Sequence, residues 1–214
     1  MPDINSFPTY FQTYNWQKKH GLYGYPADTC PSFPWIQSLE TRFNWLKLNH
    51  RIRKTSSIYL LREMIQWGGS QNGILQKFDD RLGEVNLHEL LSETIDHLDT
   101  PSEAIRSALK FPGMGLTYAS KLLRFLDPHV YGAFDLRIRG ALTNVLNMGG
   151  DMESAKVDNY VTFLNYVKKL QQQLVAADIQ RPRCELPIGA AAGWRAADIE
   201  MAIFKWADEQ PKSG

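Results

Sequence analysis

The residues Phe111-Pro112-Gly113-Met114-Gly115 separate two stretches with helical apolar spacing, and this segment decides how the chain is interpreted. Before it, Thr100-Pro101-Ser102-Glu103 has the composition of a capping box with proline at the first helical position, which predicts a helix to about Lys110. After it, apolar residues recur at helical spacing over 116–126 and stop before Asp127-Pro128. The sequence therefore predicts two short helices joined by a glycine hairpin.

Such a hairpin leaves backbone N–H groups without partners at the N-terminus of its second helix. Together with the positive end of the helix dipole, these groups form a site for an anion, and on a nucleic acid they bind a phosphate without reading the base sequence. The residues predicted to contact a nucleic-acid backbone are Gly113, Met114, Gly115 and Thr117.

The rest of the chain has helical patterns and no alternation long enough for a strand, so we expect one all-α domain spanning residues 1–214. Residues 1–35 are rich in proline and aromatic residues, which predicts an irregular segment that packs on the core. A loop is expected over 180–192. Further helices are predicted at about 36–48, 55–67, 73–78, 86–98, 137–147, 152–177 and from Trp194 to about Asp208.

Composition excludes several classes of protein. No stretch approaches the roughly 20 apolar residues that cross a bilayer, and the N-terminus lacks a signal pattern, so we expect no membrane partner and a cytoplasmic location. Cys30 and Cys184 fit no metal or redox spacing, and the five histidines form no ligand pair. The sequence predicts no metal site and no cofactor, and it leaves open a monovalent cation at the hairpin.

Charge is distributed unevenly although the net charge is only +1. Residues 40–62 carry six basic residues against Glu40, for a net charge of +5, and residues 103–140 carry +3. Residues 79–99 carry −6. This pattern is consistent with a basic face opposite an acidic back, as in a nucleic-acid-binding protein, and equally with ordinary solvated helix surfaces.

Three segments together resemble the helix-hairpin-helix DNA glycosylase superfamily, and most closely its oxoguanine glycosylase/lyase branch. They are the hairpin, the dipeptide Ser120-Lys121, and Phe134-Asp135-Leu136-Arg137-Ile138. In that superfamily the catalytic aspartate follows the hairpin by about twenty residues, and here Asp135 follows Gly115 by 20. The resemblance implies two helical lobes with the active site in the cleft between them.

Lys121 is the candidate nucleophile, although it departs from the family pattern. The resemblance places the lysine at the position of Thr117, and Lys121 lies four residues later, on the same helix face about 5.4 Å along the axis. Burial and the nearby Arg124 would both lower its pKa, which a nucleophilic amine requires. The alternative is a surface lysine on an amphipathic helix.

Asp135 is the second candidate catalytic residue. An aspartate at the start of a helix can be an N-cap, and an N-cap carboxylate is also held rigidly beside the positive end of the helix. Near the C1′ atom of a nucleotide, that carboxylate would stabilise an oxocarbenium-like sugar and help the lysine lose its proton.

Four residues are candidates for a base pocket. By resemblance, Glu200 and Phe204 occupy the two positions, four apart on the last helix, that face the flipped base; the alternative puts Phe204 in the core and Glu200 on a solvated surface. Gln66 and Trp67, at a helix end, are a further pocket edge, with Trp67 in the core as the alternative.

Two classes of function follow. The first is a DNA N-glycosylase with β-lyase activity that acts on a damaged or modified purine such as 8-oxoguanine, extruded from double-stranded DNA, through a Schiff base on Lys121. The second is a non-catalytic helix-hairpin-helix module that binds nucleic acid within a larger assembly. Proteins of this kind also resemble members of bacterial anti-phage systems. The sequence leaves any protein partner open.

Overall fold

The computed structural model describes residues 2–16, 22–50, 56–149, 153–184 and 193–210. Within these ranges the regular structure is helical, and the one β-type pairing is an isolated bridge between Asn15 and Thr29. The all-α prediction is confirmed. The α-helices are α1 (Phe7–Gln12), α2 (Pro34–Asn49), α3 (Ser56–Trp67), α4 (Ile74–Asp80), α5 (Leu87–Asp96), α6 (Pro101–Leu109), α7 (Leu116–Leu126), α8 (Leu136–Leu142), α9 (Glu153–Ala176) and α10 (Ala196–Asp208).

The helices on either side of the hairpin, α6 and α7, have the bounds that the sequence predicts. Thr100 is the N-cap of α6, but its side chain makes no capping hydrogen bond, so the predicted capping box does not form. Proline at the first position of α6 is therefore the local signal that starts this helix. By contrast, Asn86 does cap α5, because its side-chain oxygen accepts a hydrogen bond from the N–H of Glu89 at 3.3 Å.

Two of the predicted boundaries need correction. Residues 1–35 contain the short helix α1, which has only 6 residues and includes Pro8, so helical spacing in the sequence could not reveal it. At the other end, α8 stops at Leu142 rather than near Asn147, and Asn147 adopts a positive φ of 50° that a right-handed helix does not allow. The loop predicted over 180–192 is non-helical as far as Cys184, and 185–192 lie outside the described residues.

Helices α7 and α10 form the centre of the domain. Every residue of α7 except Thr117 is buried, and so is every residue of α10 except Lys205 and Asp208. Helix α7 packs against α2, α3 and α6, while α10 packs against α1, α8 and α9. A helix that is buried on all sides belongs in the interior, so the charged side chains on these two helices are also carried into the interior.

The N-terminal segment packs on α10, as the sequence predicts. Phe7 and Phe11 are fully buried, and both rings meet the edge of Trp194 with centroids 6.2 and 5.8 Å apart. Aromatic pairs in this geometry add to the stabilisation that burial alone provides. Residues of the N-terminal segment thereby reach the middle of the fold, close to the end of α3.

The acidic segment 79–99 contacts both of the basic segments. Ion pairs join the acidic segment 79–99 to the basic segments: Arg62 lies 2.9 Å from Asp79, and Lys110 lies 2.5 Å from Glu93. Each of these pairs neutralises one cation of a basic segment, and residues 51–55 lie outside the described residues. Separately, none of the described helices has the length and apolar character that crossing a membrane requires.

Candidate active site

Lys121 lies on α7 with only 4% of its surface exposed. Its Nζ donates a hydrogen bond to the carbonyl oxygen of Gly68 at 3.3 Å. Three aromatic rings surround the amine: the centroids of Trp16, Tyr118 and Trp67 lie 5.2, 5.2 and 5.5 Å from Nζ. No carboxylate oxygen of the described residues lies within 4 Å of it. The alternative of a surface lysine is therefore wrong.

The environment of Lys121 disfavours the protonated form of its amine. Burial lowers the pKa of Lys121 below its ordinary value of 10.5; the carboxylates of Asp135 and Glu200 oppose this lowering, and the guanidinium of Arg124 adds to it. The faces of the aromatic rings also attract the ammonium form of Lys121 through cation–π interactions. They stabilise that charge less than water does. The direction agrees with the prediction from sequence, and burial rather than Arg124 is the larger cause.

Asp135 is the N-cap of α8. Its Oδ1 accepts hydrogen bonds from the N–H groups of Arg137 and Ile138, each at 3.0 Å, so the capping role that the sequence predicts is confirmed. These two bonds leave the second carboxylate oxygen available to a ligand. Asp135 is partly exposed, and its carboxylate is the largest of the charges that act on Lys121.

Lys121 and Asp135 line the same pocket, which has a volume of about 160 Å³. Chain segments far apart in sequence supply its walls, and the amine of Lys121 is its main nucleophilic group. The lining residues are Trp16, Gly68, Gln71, Thr117, Tyr118, Lys121, Asp135, Leu136 and Arg137. We call this pocket the lysine pocket.

A second pocket of about 280 Å³ adjoins the lysine pocket, and the two share Gln71, Thr117, Tyr118 and Leu136 in their walls. This second pocket, the hairpin pocket, is also lined by Gly113 and Gly115 and by three cations, Lys77, Arg139 and Lys156. Within the part of the chain that the structure describes, Arg139 Nε has no hydrogen-bond partner. The hairpin pocket thus collects positive charge beside the hairpin glycines, as expected for a phosphate site.

The two glycines of the hairpin have different roles. Gly113 has a φ of +68°, and a Cβ there would come within 3.0 Å of the Cβ of Lys77, so this glycine allows the turn and its close packing on α4. Gly115 is the N-cap of α7, and a Cβ there would meet no atom within 4 Å. No side chain caps α7, and its first two residues, Leu116 and Thr117, line the hairpin pocket.

The other two hairpin candidates, Thr117 and Met114, also have different roles. Thr117 lines both pockets. Met114 does not line either pocket: its side chain is buried, and its N–H donates to the carbonyl of Phe111 at 3.1 Å within the turn. Met114 therefore contributes to the core rather than to a surface that a nucleic acid could reach.

The four base-pocket candidates do not line the lysine pocket. Trp67 and Phe204 are both buried, and both rings contact Trp16, with centroids 6.5 and 5.3 Å away, so they form the layer behind the pocket wall. Gln66 accepts a hydrogen bond from the hydroxyl of Tyr23. In this fold, the alternatives that placed Trp67 and Phe204 in the core are confirmed.

Glu200 is buried as well, with 4% of its surface exposed, so the alternative of a solvated glutamate is wrong. Its Oε2 lies 3.8 Å from Arg124 Nε. Burial raises the pKa of Glu200 to about 8; Arg124 and Lys121 oppose the rise, and Asp135 adds to it. Glu200 is thus a carboxyl group held in the interior next to the two candidate catalytic residues.

Beneath Lys121, a chain of buried ion pairs crosses the domain. Arg124 Nη1 lies 3.2 Å from Glu40, and Glu40 in turn lies 2.8 Å from Arg195. Arg195 also pairs with Asp198 at 2.7 Å, and Arg181 pairs with Asp198 at 2.9 Å. All these side chains are at most 5% exposed, so each charge depends on its partners rather than on water.

Sequence reasoning missed several residues of the lysine pocket. Trp16 comes from the N-terminal segment, and its indole N–H donates to the carbonyl of Trp67 at 2.7 Å. The Tyr118 hydroxyl donates to the carbonyl of Gly68 at 3.3 Å and accepts from the N–H of Gln71 at 3.2 Å. A Cβ at Gly68 would lie 2.7 Å from Tyr118 and 3.2 Å from the amine of Lys121. Helical spacing placed Tyr118 beside Lys121, but nothing local indicated Trp16 or the close approach at Gly68.

Searches with the chain find no match among protein-family models, curated proteins or solved structures.

Proposed function

We propose that this protein is a two-lobed helix-hairpin-helix DNA N-glycosylase with β-lyase activity, acting on a damaged or modified purine such as 8-oxoguanine. The observation that carries the proposal is the amine of Lys121, which is buried, lacks a carboxylate partner among the described residues, and lines a pocket together with Asp135. Because burial lowers the pKa of Lys121, a larger fraction of this amine is neutral, and therefore nucleophilic, than of an exposed lysine.

The shape of the lysine pocket supports a substrate that leaves the double helix. Lys121 is too deeply buried to reach a sugar stacked within a duplex, so the target nucleotide must be extruded into the pocket. Trp16 and Tyr118 supply aromatic surface in the wall, and bases stack on such surface with little dependence on sequence. Leu136 is 64% exposed at the mouth shared by the two pockets and offers apolar contact to the neighbouring nucleotide.

The hairpin pocket supports binding of the DNA backbone beside the extruded nucleotide. Lys77, Arg139 and Lys156 converge there with the uncapped N-terminus of α7. Ammonium and guanidinium groups and helix N-terminal amides all bind phosphate oxygens. Because the two pockets share a wall, a phosphate in one places the sugar next to it at the entrance of the other.

The proposed reaction begins with the neutral amine of Lys121. Its lone pair forms a bond to C1′ while the glycosidic C1′–N9 bond breaks, and the electron pair of that bond leaves with the purine, which takes up a proton. Asp135 stabilises the positive charge that develops on the sugar and accepts the proton lost by the attacking nitrogen. Opening of the sugar ring, with protonation of O4′, gives a Schiff base, and loss of a C2′ proton then breaks the C3′–O bond and releases the downstream strand with a 5′ phosphate.

The second candidate function is a non-catalytic module that binds nucleic acid through the hairpin pocket. The observation in its favour is that the amine of Lys121 contacts the Gly68 carbonyl and three aromatic rings. The same contacts would hold a lysine whose only role is structural. Such a module would bind a backbone through the cations of the hairpin pocket without forming any covalent bond. Covalent capture of the substrate separates the two functions.

The test is borohydride trapping on duplexes that carry 8-oxoguanine, other modified purines or a pre-formed abasic site. We expect a covalent adduct with the wild-type protein and none with Lys121→Gln. Lys110→Gln is the matched control, because Lys110 is a surface lysine just after the neighbouring helix α6 and is paired with Glu93; it should trap as wild type does. Tight DNA binding without an adduct on any substrate would favour the binding module.

A further inference from the structure

Asp28 is a fully buried aspartate that belongs neither to the lysine pocket nor to the chain of buried ion pairs. Its Oδ1 accepts hydrogen bonds from the backbone N–H groups of Trp35 at 2.9 Å and Ile36 at 3.1 Å, in the first turn of α2. Its Oδ2 accepts a hydrogen bond from the indole N–H of Trp67 at 3.0 Å. Asp28 therefore joins the start of α2 to the end of α3.

The three hydrogen bonds explain why a carboxylate stands at this position. All three partners are donors, and an ionised carboxyl group accepts through both of its oxygens, whereas an asparagine amide has one accepting oxygen and an NH2 group that donates. In Asp28 one oxygen serves the start of α2 and the other serves Trp67. Asparagine would keep the size of the side chain and satisfy only one of the two sides.

Trp67 is the last residue of α3, and it connects Asp28 to the surroundings of the Lys121 amine. Its ring centroid lies 5.5 Å from Nζ, and its carbonyl oxygen accepts the indole N–H of Trp16 at 2.7 Å. The ring of Trp16 in turn lies 5.2 Å from Nζ. The next residue, Gly68, supplies the carbonyl that accepts a hydrogen bond from the amine at 3.3 Å. Two of the three aromatic rings and the carbonyl around the amine thus depend on the position of Trp67.

The packing around the amine leaves little tolerance for movement at this helix end. A Cβ on Gly68 would lie 2.7 Å from the ring of Tyr118 and 3.2 Å from the amine of Lys121. The backbone at Gly68 is therefore already in close contact with the reacting group, and a displacement of Trp67 would move that backbone with it. Small displacements of a reacting group are costly to the rate of a reaction.

We propose that Asp28 is a positioning residue for the reaction at Lys121: through the indole of Trp67 it fixes the end of α3, and with it the two tryptophan rings and the carbonyl that surround the amine. Asp28 lines neither the lysine pocket nor the hairpin pocket, so it acts through Trp67 and touches no substrate. Its catalytic consequence rests on the proposed function, whereas its support of Trp67 does not.

Two substitutions remove the contact from opposite sides. Asp28→Asn keeps one accepting oxygen for the start of α2 and loses the acceptor for the indole. Trp67→Phe removes the indole N–H and keeps an aromatic ring. Asp3→Asn is the matched control: Asp3 also accepts a backbone N–H at the start of a short helix, that of Asn5, but one oxygen is enough for this role.

The first experiment uses the full chain without substrate. NMR follows the indole N–H signals of the six tryptophans, and Trp16→Phe identifies the signal of Trp16. We expect solvent exchange of the Trp16 indole N–H to accelerate at least about 10-fold in Asp28→Asn and in Trp67→Phe, because each change releases the helix end whose carbonyl it bonds. The signal of Trp45, which is 45% exposed on α2, should not change. Wild-type exchange of Trp16 in both variants would overturn the proposal.

The second experiment measures the single-turnover trapping rate on an abasic duplex, well below the melting temperature of every variant. We expect Asp28→Asn and Trp67→Phe each to slow trapping about 10-fold or more per folded molecule, and Asp3→Asn to trap as wild type does. The double variant should trap at the rate of Trp67→Phe alone, because both changes remove the same contact. Rate losses that multiply in the double variant would show two independent effects and contradict the proposal.

The outcomes separate this inference from the proposed function. No adduct with the wild-type protein on any duplex would defeat the glycosylase proposal, and exchange of the Trp16 indole N–H would still decide the support of Trp67. An adduct with wild type, together with wild-type trapping rates in Asp28→Asn and Trp67→Phe, would defeat the inference alone and make Asp28 a structural residue. If Asp28→Asn does not fold, Trp67→Phe decides the question in both experiments.

Discussion

Lys121 and Arg124 lie three residues apart on α7, both are buried, and both carry a basic group, yet their surroundings differ completely. Arg124 is fully buried and has carboxylates 3.2 Å away on Glu40 and 3.8 Å away on Glu200. Lys121 faces three aromatic rings and one carbonyl oxygen instead. An arginine keeps its charge in any protein, whereas a lysine can lose its proton when it is desolvated.

This difference separates a structural charge from a chemically available one. Arg124 belongs to the chain of ion pairs through Glu40, Arg195 and Asp198, in which each member compensates a buried opposite charge. Lys121 compensates no such charge, so its burial lowers its pKa and gives no ion pair in return. Removing Lys121 should therefore cost activity, and removing Arg124 should cost stability.

The largest expected effect is the complete loss of trapping in Lys121→Met, together with unchanged or increased stability at pH 7. Methionine fills the same space without the cost of desolvating an amine. Because the pKa of Lys121 is lowered in the folded state, wild-type stability should rise relative to this variant as pH rises through that lowered pKa towards 10.5. Thermal melts between pH 7 and pH 10 measure both effects. A melting temperature lower by more than about 5 °C at pH 7 would show that the amine is structural.

The second effect is on stability, in Arg124→Met. This change leaves the carboxylate of Glu40 with one partner fewer and Glu200 with none at ion-pair distance, and breaking a buried pair costs about 3–5 kcal/mol. Urea denaturation measures the loss. Arg106→Met is the control, because Arg106 pairs at the surface with Glu103 and should change stability by less than about 0.5 kcal/mol. If Arg124→Met and Arg106→Met were equally stable, Arg124 would not be a structural charge, and its contrast with Lys121 would fail.

Asp135→Asn should leave the fold intact and slow excision of the base about 10²–10³-fold. Asparagine keeps the oxygen that accepts the N–H groups of Arg137 and Ile138 but lacks the negative charge. Single-turnover excision and thermal melts are measured together. Asp127→Asn is the control, since Asp127 also accepts a backbone N–H, that of His129. In Asp135→Asn, Schiff-base formation on a pre-formed abasic site should slow less than base excision does. Lower stability with a full excision rate would make Asp135 a cap and nothing more.

The smallest expected effect concerns the hairpin. Gly115→Asp should weaken binding to DNA of any sequence about 10-fold and reduce the slope of log affinity against log salt by about 1, because a carboxylate would occupy the phosphate site. Stability should hold, since aspartate is a good N-cap and no atom obstructs its Cβ. Gly83→Asp, at another unobstructed glycine, is the control. Affinity unchanged at moderate salt would exclude the phosphate role of the hairpin pocket.

Sequence reasoning was most successful where structure is determined locally. The bounds of α6 and α7, the N-cap at Asp135 and the glycine turn between α6 and α7 all follow from neighbouring residues, because proline, glycine and capping side chains act within one or two helical turns. Short elements escaped it. The helix α1 has too few residues for helical spacing to emerge, and the position of Trp16 depends on its bond to Trp67, 51 residues away.

The sequence by itself determined an all-α chain with a glycine hairpin and a lysine and an aspartate at suggestive positions after it. Only the tertiary structure decided that Lys121 is enclosed, that Glu200 is buried rather than solvated, and that the cations of the hairpin pocket lie together. The physical reason is that burial and charge pairing depend on the whole fold: Glu40 meets Arg195 across 155 residues of sequence. Helical spacing can say which residues share a helix face, but the packing of the other helices decides whether that face meets water, a carboxylate or an aromatic ring.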